Sequence, residues 1–152
     1  MNYPVALNIR GKECLVAGGG IIALRKIKRL IRSGARVRVV SPRVEAEIAG
    51  LVSAGAIKHV KRVFRRADLK GAFLVIAATN DAVVNAKICT LASLKSIPAN
   101  SITPAKQASF SNMAEFDSGG LLVAVSSSGK NVKKAVAARD RIEKFMKGGK
   151  KS

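Results

Sequence analysis

A short apolar run ends in three consecutive glycines, and a helix begins directly after them. Lys12 to Ala17 (KECLVA) has the continuous apolar texture of a buried strand. From Ile21 to Ser33 the pattern turns helical, with Leu24, Ile27, Leu30 and Ile31 on one face. Arg25, Lys26, Lys28, Arg29 and Arg32 fill the rest of that helix, and Gly34 stands where a helix C′ residue belongs. Between strand and helix, Gly18-Gly19-Gly20-Ile21-Ile22-Ala23 fits G-x-G-x-x-A. The first glycine permits a tight turn, the second lets a diphosphate approach the backbone, and the small Ala23 lets helix and strand pack closely. The free N–H groups at the helix start, at Ile21 and Ile22, face that anion. A loop of this kind between a strand and a helix predicts dinucleotide binding.

The remainder of the chain supplies the expected context. Val37 to Val40 reads as a second strand, stopped by Ser41-Pro42, and Glu45 to Ser53 as a second helix. Ile57 to Val63 alternates as an edge strand would, and Asp68 to Gly71 reads as a turn or single helical turn. Phe73 to Ala78 (FLVIAA) is the most strand-like run, followed by a helix over Asp81 to Leu94 with Val84, Ile88 and Leu91 inward. Ile97 to Ile102 gives a fifth strand. Near-continuous apolar strands alternating with helices predict a parallel sheet covered on both faces. Beyond Thr103, Ala108 to Phe110 and Leu121 to Val125 read as strands separated by the polar segment Glu115 to Gly120, before a helix over Asn131 to Met146. The predicted fold class is therefore α/β: a Rossmann-type doubly wound parallel sheet with a short C-terminal β-β-α segment. The expected division is 1–112 for the dinucleotide-binding domain, 113–147 for the appended segment and 148–152 for a basic tail. Two strands and a helix make too little core to stand alone, so that segment needs a packing partner, and a second copy of the chain is the simplest.

Composition excludes several classes. The formal net charge is +19, from 28 Lys and Arg against 9 Asp and Glu. Such a field attracts polyanions, whether nucleic acid, anionic membrane or a polycarboxylate small molecule. No apolar run approaches the roughly 20 residues of a membrane span, and the start lacks the layout of a signal peptide, so a cytoplasmic protein is expected. Aromatics are few and no nucleic-acid reading motif occurs, so no specific nucleic acid is expected as a partner. His59 is the single histidine and has no ligand-spaced Cys or Asp beside it, so no metal site is expected. Cys14 and Cys89 lie in apolar runs and read as small buried hydrophobes.

Specificity at the cofactor's adenosine end stays open. An NAD-selective site usually has Asp or Glu ending the second strand, whereas this chain has Ser41-Pro42-Arg43. Ser41 can bond a ribose hydroxyl and Arg43 can neutralise a 2′-phosphate; NAD is the expected cofactor, with NADP not excluded. Thr79 and Asn80 follow the fourth strand and are candidate contacts to the nicotinamide ribose. Asp81 reads as the N-cap of the next helix.

The chain resembles the precorrin-2 dehydrogenase and sirohydrochlorin ferrochelatase module of siroheme synthases. The residues that carry the resemblance are Tyr3-Pro4, the glycine loop with Ala23-Leu24-Arg25-Lys26, Ser33-Gly34-Ala35, and Val39-Val40-Ser41-Pro42. They continue through Ala77-Ala78-Thr79, Asp81, Val84-Asn85, Asn100, Ala108-Ser109-Phe110 and Leu122 to Ser127. The resemblance implies NAD-dependent oxidation of precorrin-2 to sirohydrochlorin, in some members followed by iron insertion. It also implies a homodimer formed through the segment after the dinucleotide-binding domain, which would be a dimerisation and substrate-cleft segment. The substrate would be a tetrapyrrole polycarboxylate, giving the basic charge a chemical use. Asn100, Lys106, Ser127 and Lys130 are the candidate substrate contacts.

One departure from the family pattern bears on mechanism. Where the family has a run like N-V-V-D after the fifth strand, this chain has Asn100-Ser101-Ile102-Thr103. Thr103 thus holds the place of the favoured acid/base aspartate, and a threonine hydroxyl is no general base near neutral pH. Asp117 corresponds to a family acid and is a candidate substitute, alongside its plainer reading as a turn residue before Gly119-Gly120. The resemblance also implies a C-terminal helical region beyond Ser152. Two readings follow: a dehydrogenase relying on positioning, or a tetrapyrrole- or dinucleotide-binding homologue without catalysis.

Overall fold

The computed structural model describes residues 2–148 and divides the chain into two compact units. One holds Ala6–Phe110; the other is made of the chain after Phe110 together with the segment before Ala6. Residues 149–152 of the expected basic tail lie outside the described residues.

The larger unit is an α/β Rossmann-like layer structure. Five parallel strands, β1 (Glu13–Ala17), β2 (Arg36–Val40), β3 (Ile57–Val60), β4 (Leu74–Ala77) and β5 (Ala99–Ser101), lie in the order β3-β2-β1-β4-β5. Sequence order reverses about β1, so the carboxyl ends of β1 and β4 flank the crevice where such sheets bind ligands. The alternation of the strands assigns the faces. Cys14, Val16, Val37, Val39, Leu74 and Ile76 meet Ala23, Leu24, Ile27 and Leu30 of helix α1 (Ile21–Arg32) and Ile48 of α2 (Ala46–Ser53). Leu15, Ala17, Val40, Val75 and Ala77 meet Ile88, Cys89 and Ala92 of α3 (Ala82–Ser93). Each large aliphatic side chain removed from water here contributes about 1.5–3 kcal/mol. β3 is the edge strand, as its alternation predicts.

Helix ends follow local chemistry. The Asp81 carboxylate accepts from the N–H groups of Val83 (2.8 Å) and Val84 (3.1 Å), satisfying two free donors of α3. Cys14 and Cys89 are buried and unbridged, and burial beside Glu13 pushes the Cys14 thiol up to about 11.

The smaller unit holds an antiparallel hairpin, β6 (Ala114–Ser118) and β7 (Leu121–Val125), packed on helix α4 (Val132–Gly148). This corrects the expected strand positions. Ala108–Phe110 forms no strand; the backbone N–H groups of Ser109 and Phe110 both turn toward the carbonyl of Ala99, leaving no ladder to continue. The true strand overlaps the segment expected as a polar separator, starting one residue before it. Of its side chains only Phe116 is buried, so its alternation is hard to see among Glu115, Asp117 and Ser118. Asp117 accordingly stands in a strand rather than in the turn, which Gly119 and Gly120 form with φ of +57° and +81°. Leu121 and Leu122 on β7, and Val132 and Phe145 on α4, are exposed.

Candidate functional site

The glycine loop is fixed from below by backbone hydrogen bonds. The Gly18 N–H donates to the Val40 carbonyl (3.0 Å), and the Gly19 carbonyl accepts from the Glu45 N–H (2.8 Å). Gly18 has φ +121° and lies so close to β4 that a Cβ there would stand 2.1 Å from the Ala78 oxygen. A Cβ on Gly19 would meet the Arg43 carbonyl at 2.3 Å. Both positions exclude any side chain. Gly20 differs: it is the N-cap of α1, no side chain caps the helix, and a Cβ there would meet nothing within 4 Å.

That asymmetry tests whether a dinucleotide fits. Two glycines are needed for packing, while the third borders open space directly in front of uncapped helix N–H groups. The first turn of α1 holds no acidic residue, so nothing there repels an anion. Ile21 and Ile22 are exposed beside it, 59% and 47% respectively, placing apolar surface next to the donors. The residues fit a diphosphate-bearing cofactor.

At the end of β2, Ser41 is buried, and its hydroxyl donates to the Arg43 carbonyl at 2.6 Å. Its hydrogen is thereby spent, leaving Ser41 only as an acceptor. Pro42 and Arg43 are exposed, and the His59 ring bonds the Ser41 carbonyl from the neighbouring strand (2.9 Å). No acidic side chain ends β2.

Beyond β4 the chain enters a neutral polar network. The Asn85 side chain, fully buried on α3, accepts from both the N–H (3.0 Å) and the hydroxyl (2.8 Å) of Thr79. It donates to the Thr79 carbonyl (3.0 Å) and to the Thr103 hydroxyl (3.2 Å). Thr103 in turn stands 3.2 Å from the Ser101 hydroxyl. Asn80 is exposed at the rim. Asn100, buried on the opposite face of β5, donates to the Phe110 carbonyl (2.9 Å), while its Oδ1 has no partner among the described residues. Lys106 is exposed on the loop after β5.

The structure thus gathers Gly18, Gly19, Gly20, Ile21, Ile22, Ser41, Arg43, Thr79 and Thr103 along the carboxyl edge of one sheet. Asp117, Ser127 and Lys130 belong to the smaller unit. There, Ser127 accepts from the Asn131 N–H (2.9 Å) at the start of α4, and a shallow depression of about 490 Å³ is lined by Ser127, Lys130, Asn131 and Lys134. Asp117 is exposed on β6. Asn85 is absent from the site residues that the sequence marks. Its signal was available: Asn85, Ile88, Cys89 and Ala92 keep the i, i+3, i+4, i+7 spacing of the buried face.

A family described as "Putative NAD(P)-binding" matches residues 5–114. The chain belongs to this NAD(P)-binding family. Among curated proteins it is 42% identical over 143 residues to a siroheme synthase of Methylobacillus flagellatus, covering 94% of this chain and 31% of the relative. It is 41% identical over 147 residues to the siroheme synthase of Stutzerimonas stutzeri, covering 96% and 32%. The chain therefore spans about a third of the length of these relatives. Among solved structures it is similar to SirC, a precorrin-2 dehydrogenase, with a TM-score of 0.79 and 29% identity over 97% of this chain and 71% of that one. Among the described residues no helix is long and apolar enough to cross a membrane.

Proposed function

We propose that this NAD(P)-binding chain is a dehydrogenase that oxidises precorrin-2 to sirohydrochlorin with a nicotinamide dinucleotide, NAD in the first instance. The observation that carries the reading is the Gly20 cradle, open in front of uncapped helix N–H groups while Gly18 and Gly19 are locked by backbone. Similarity to SirC and to siroheme synthases supports the substrate class. Gly18, Gly19, Gly20, Ile21 and Ile22 would hold the diphosphate, Ser41, Pro42 and Arg43 the adenosine ribose, and Thr79 and Asn80 the nicotinamide ribose. The bound nicotinamide supplies hydride acceptance.

The protein's part is positioning. Asn100, Lys106, Ser127 and Lys130 are the proposed contacts to the carboxylates of the tetrapyrrole, through charge-assisted hydrogen bonds from the lysines. Thr103 orients without acting as a base, and Asp117 is the candidate acid/base group. The smaller unit is proposed as a homodimerisation segment, with exposed Leu121, Leu122 and Phe145 as the apolar surface available to a second copy. A cytoplasmic setting is part of the same proposal.

A second reading, binding without turnover, draws on one observation: the Thr79–Asn85–Ser101–Thr103 network contains no carboxylate or imidazole. Anaerobic incubation of the purified protein with precorrin-2 and each dinucleotide separates the two. Sirohydrochlorin absorbance appearing with reduced cofactor is the expected result. Binding of both ligands with no turnover favours the second reading, and no binding of either dinucleotide overturns both.

A further inference from the structure

Every polar atom of the Asn85 side chain is engaged, and the chemistry of its partners fixes its orientation. Turning the amide over would set its NH2 group against the Thr79 N–H, donor against donor. Nδ2 therefore faces Thr103, and the Thr103 oxygen is an acceptor in that contact (3.2 Å).

The hydrogens can then be counted. The Thr103 N–H donates to the Ser101 hydroxyl oxygen (3.1 Å), and the two hydroxyls lie 3.2 Å apart. A single hydrogen lies between them, whichever oxygen supplies it. If Ser101 supplies it, the Thr103 hydrogen is left over; if Thr103 supplies it, the Ser101 hydrogen is left over. In either case the pair keeps one O–H donor for a group outside the network. Both residues are half-buried rather than sealed.

The network also abuts the glycine loop. The Cβ position of Gly18 falls 2.9 Å from the Thr79 nitrogen, and Asn85 holds Thr79 from behind. One buried amide thus ties the crevice side of β4 to the loop after β5.

We propose that Asn85 is a positioning residue that sets the Ser101–Thr103 hydroxyl pair as a hydrogen-bond donor to an oxygen of the molecule bound at the carboxyl ends of β4 and β5. The inference rests on the dinucleotide-dependent reading above. The oxygen is a carbonyl or carboxylate, from the nicotinamide amide or from the tetrapyrrole. The donor holds that oxygen in place and takes no proton from it.

The test is a double-mutant cycle of Asn85→Ala and Thr103→Val in the full chain, with Thr103→Ser as the conservative control. Thr103→Val is expected to lower kcat/KM about tenfold or more, and Thr103→Ser to stay within about threefold of the parent. Asn85→Ala is expected to lower kcat/KM alone, but to add little once Thr103 is Val. A raised dinucleotide Kd in Thr103→Val assigns the oxygen to nicotinamide; a raised tetrapyrrole KM with unchanged Kd assigns it to substrate. Multiplicative effects, or Thr103→Val unchanged in all three constants, overturn the proposal. If Asn85→Ala does not fold, Asn85→Ser keeps a hydroxyl beside Thr79 but lacks the Nδ2 donor that holds Thr103. It should then match Thr103→Val, and parent-like constants would overturn the proposal. If the parent binds both molecules without turnover, the dehydrogenase reading fails separately. The cycle is then read from the two dissociation constants, and additivity in both overturns the positioning role.

Discussion

Two polar networks lie on the α3 side of the same sheet, and they are built from opposite materials. One is charged. Asp68, 4% exposed, accepts from both terminal guanidinium nitrogens of Arg62 (2.7 and 2.8 Å) and from the Arg65 N–H (2.7 Å). Arg38 bonds the Asp68 carbonyl (2.8 Å) and, through two nitrogens, Glu13 (2.7 and 3.0 Å). The other network, Thr79, Asn85, Ser101 and Thr103, carries no formal charge. The charged set closes on itself, because an unpaired buried charge is costly and every oxygen of Asp68 is used. The neutral set can leave one donor over at small cost, so it can serve a ligand. Closure marks structure, and a leftover donor at a crevice marks function.

The largest expected effect lies where the glycine loop presses on the neutral network. Gly18→Ala places a Cβ 2.1 Å from a backbone oxygen at φ +121°, so the loop and Ala78–Thr79 must separate. Dinucleotide affinity should fall more than about a hundredfold, as measured by titration. Gly20→Ala, with nothing within 4 Å, should leave thermal unfolding unchanged and weaken dinucleotide binding only by crowding the phosphates. Dinucleotide affinity unchanged at both positions would mean that the cradle is not where the diphosphate sits.

Removing the carboxylate from the charged network should act on stability instead. Asp68→Ala takes the shared carboxylate from Arg38 and Arg62, which costs about 1–3 kcal/mol because Arg62 is partly in water. Urea unfolding should show that loss, while the dinucleotide Kd of the folded fraction stays within about twofold. A large change in Kd would erase the distinction between the two networks.

The two networks also differ in how far they could be read from sequence. Strand and helix order followed from apolar continuity and from the glycines, because those signals are local. The first strand of the hairpin does not show in the sequence, because Phe116 is the one buried side chain of β6, too little for alternation to appear. Asn85 sits on a readable helical stripe, yet a stripe rule that scores apolar residues overlooks a polar one. The partners Thr79 and Thr103 lie 6 and 18 residues away, and only the parallel pairing of β4 with β5 brings them together. The turn expected at Asp68 is right for its backbone (a 3-10 turn over Arg66–Leu69) and silent on its arginines.

A smaller effect is expected at the adenosine end, outside both networks. No carboxylate ends β2 and the Ser41 hydrogen is occupied, so little there repels a 2′-phosphate. NAD and NADP should therefore bind within about tenfold of each other. Arg43→Glu places a carboxylate beside the ribose and should shift the ratio toward NAD by about tenfold, at low salt. A ratio that does not move would place the adenosine ribose away from Arg43.

The finest test of the charged network is its response to acid. The Arg62 hydrogen bonds hold the Asp68 carboxyl below the usual range; burial opposes them, and the Arg65 N–H and the charges of Arg62 and Arg38 add to the lowering. A carboxyl depressed in the folded state stabilises it above the unfolded value of about 3.9, and that contribution drains away as pH falls through the folded value. Asp68→Asn lacks the contribution at every pH. The gap between the two proteins in urea midpoint should thus be constant from neutrality to about pH 4 and close below it. Only 9 acidic residues oppose 28 basic ones, so each protonated carboxylate also adds to self-repulsion in both proteins. That shared loss steepens both curves and leaves their difference to report on Asp68. A gap that persists far into acid would show that the aspartate stabilises through packing rather than through its charge.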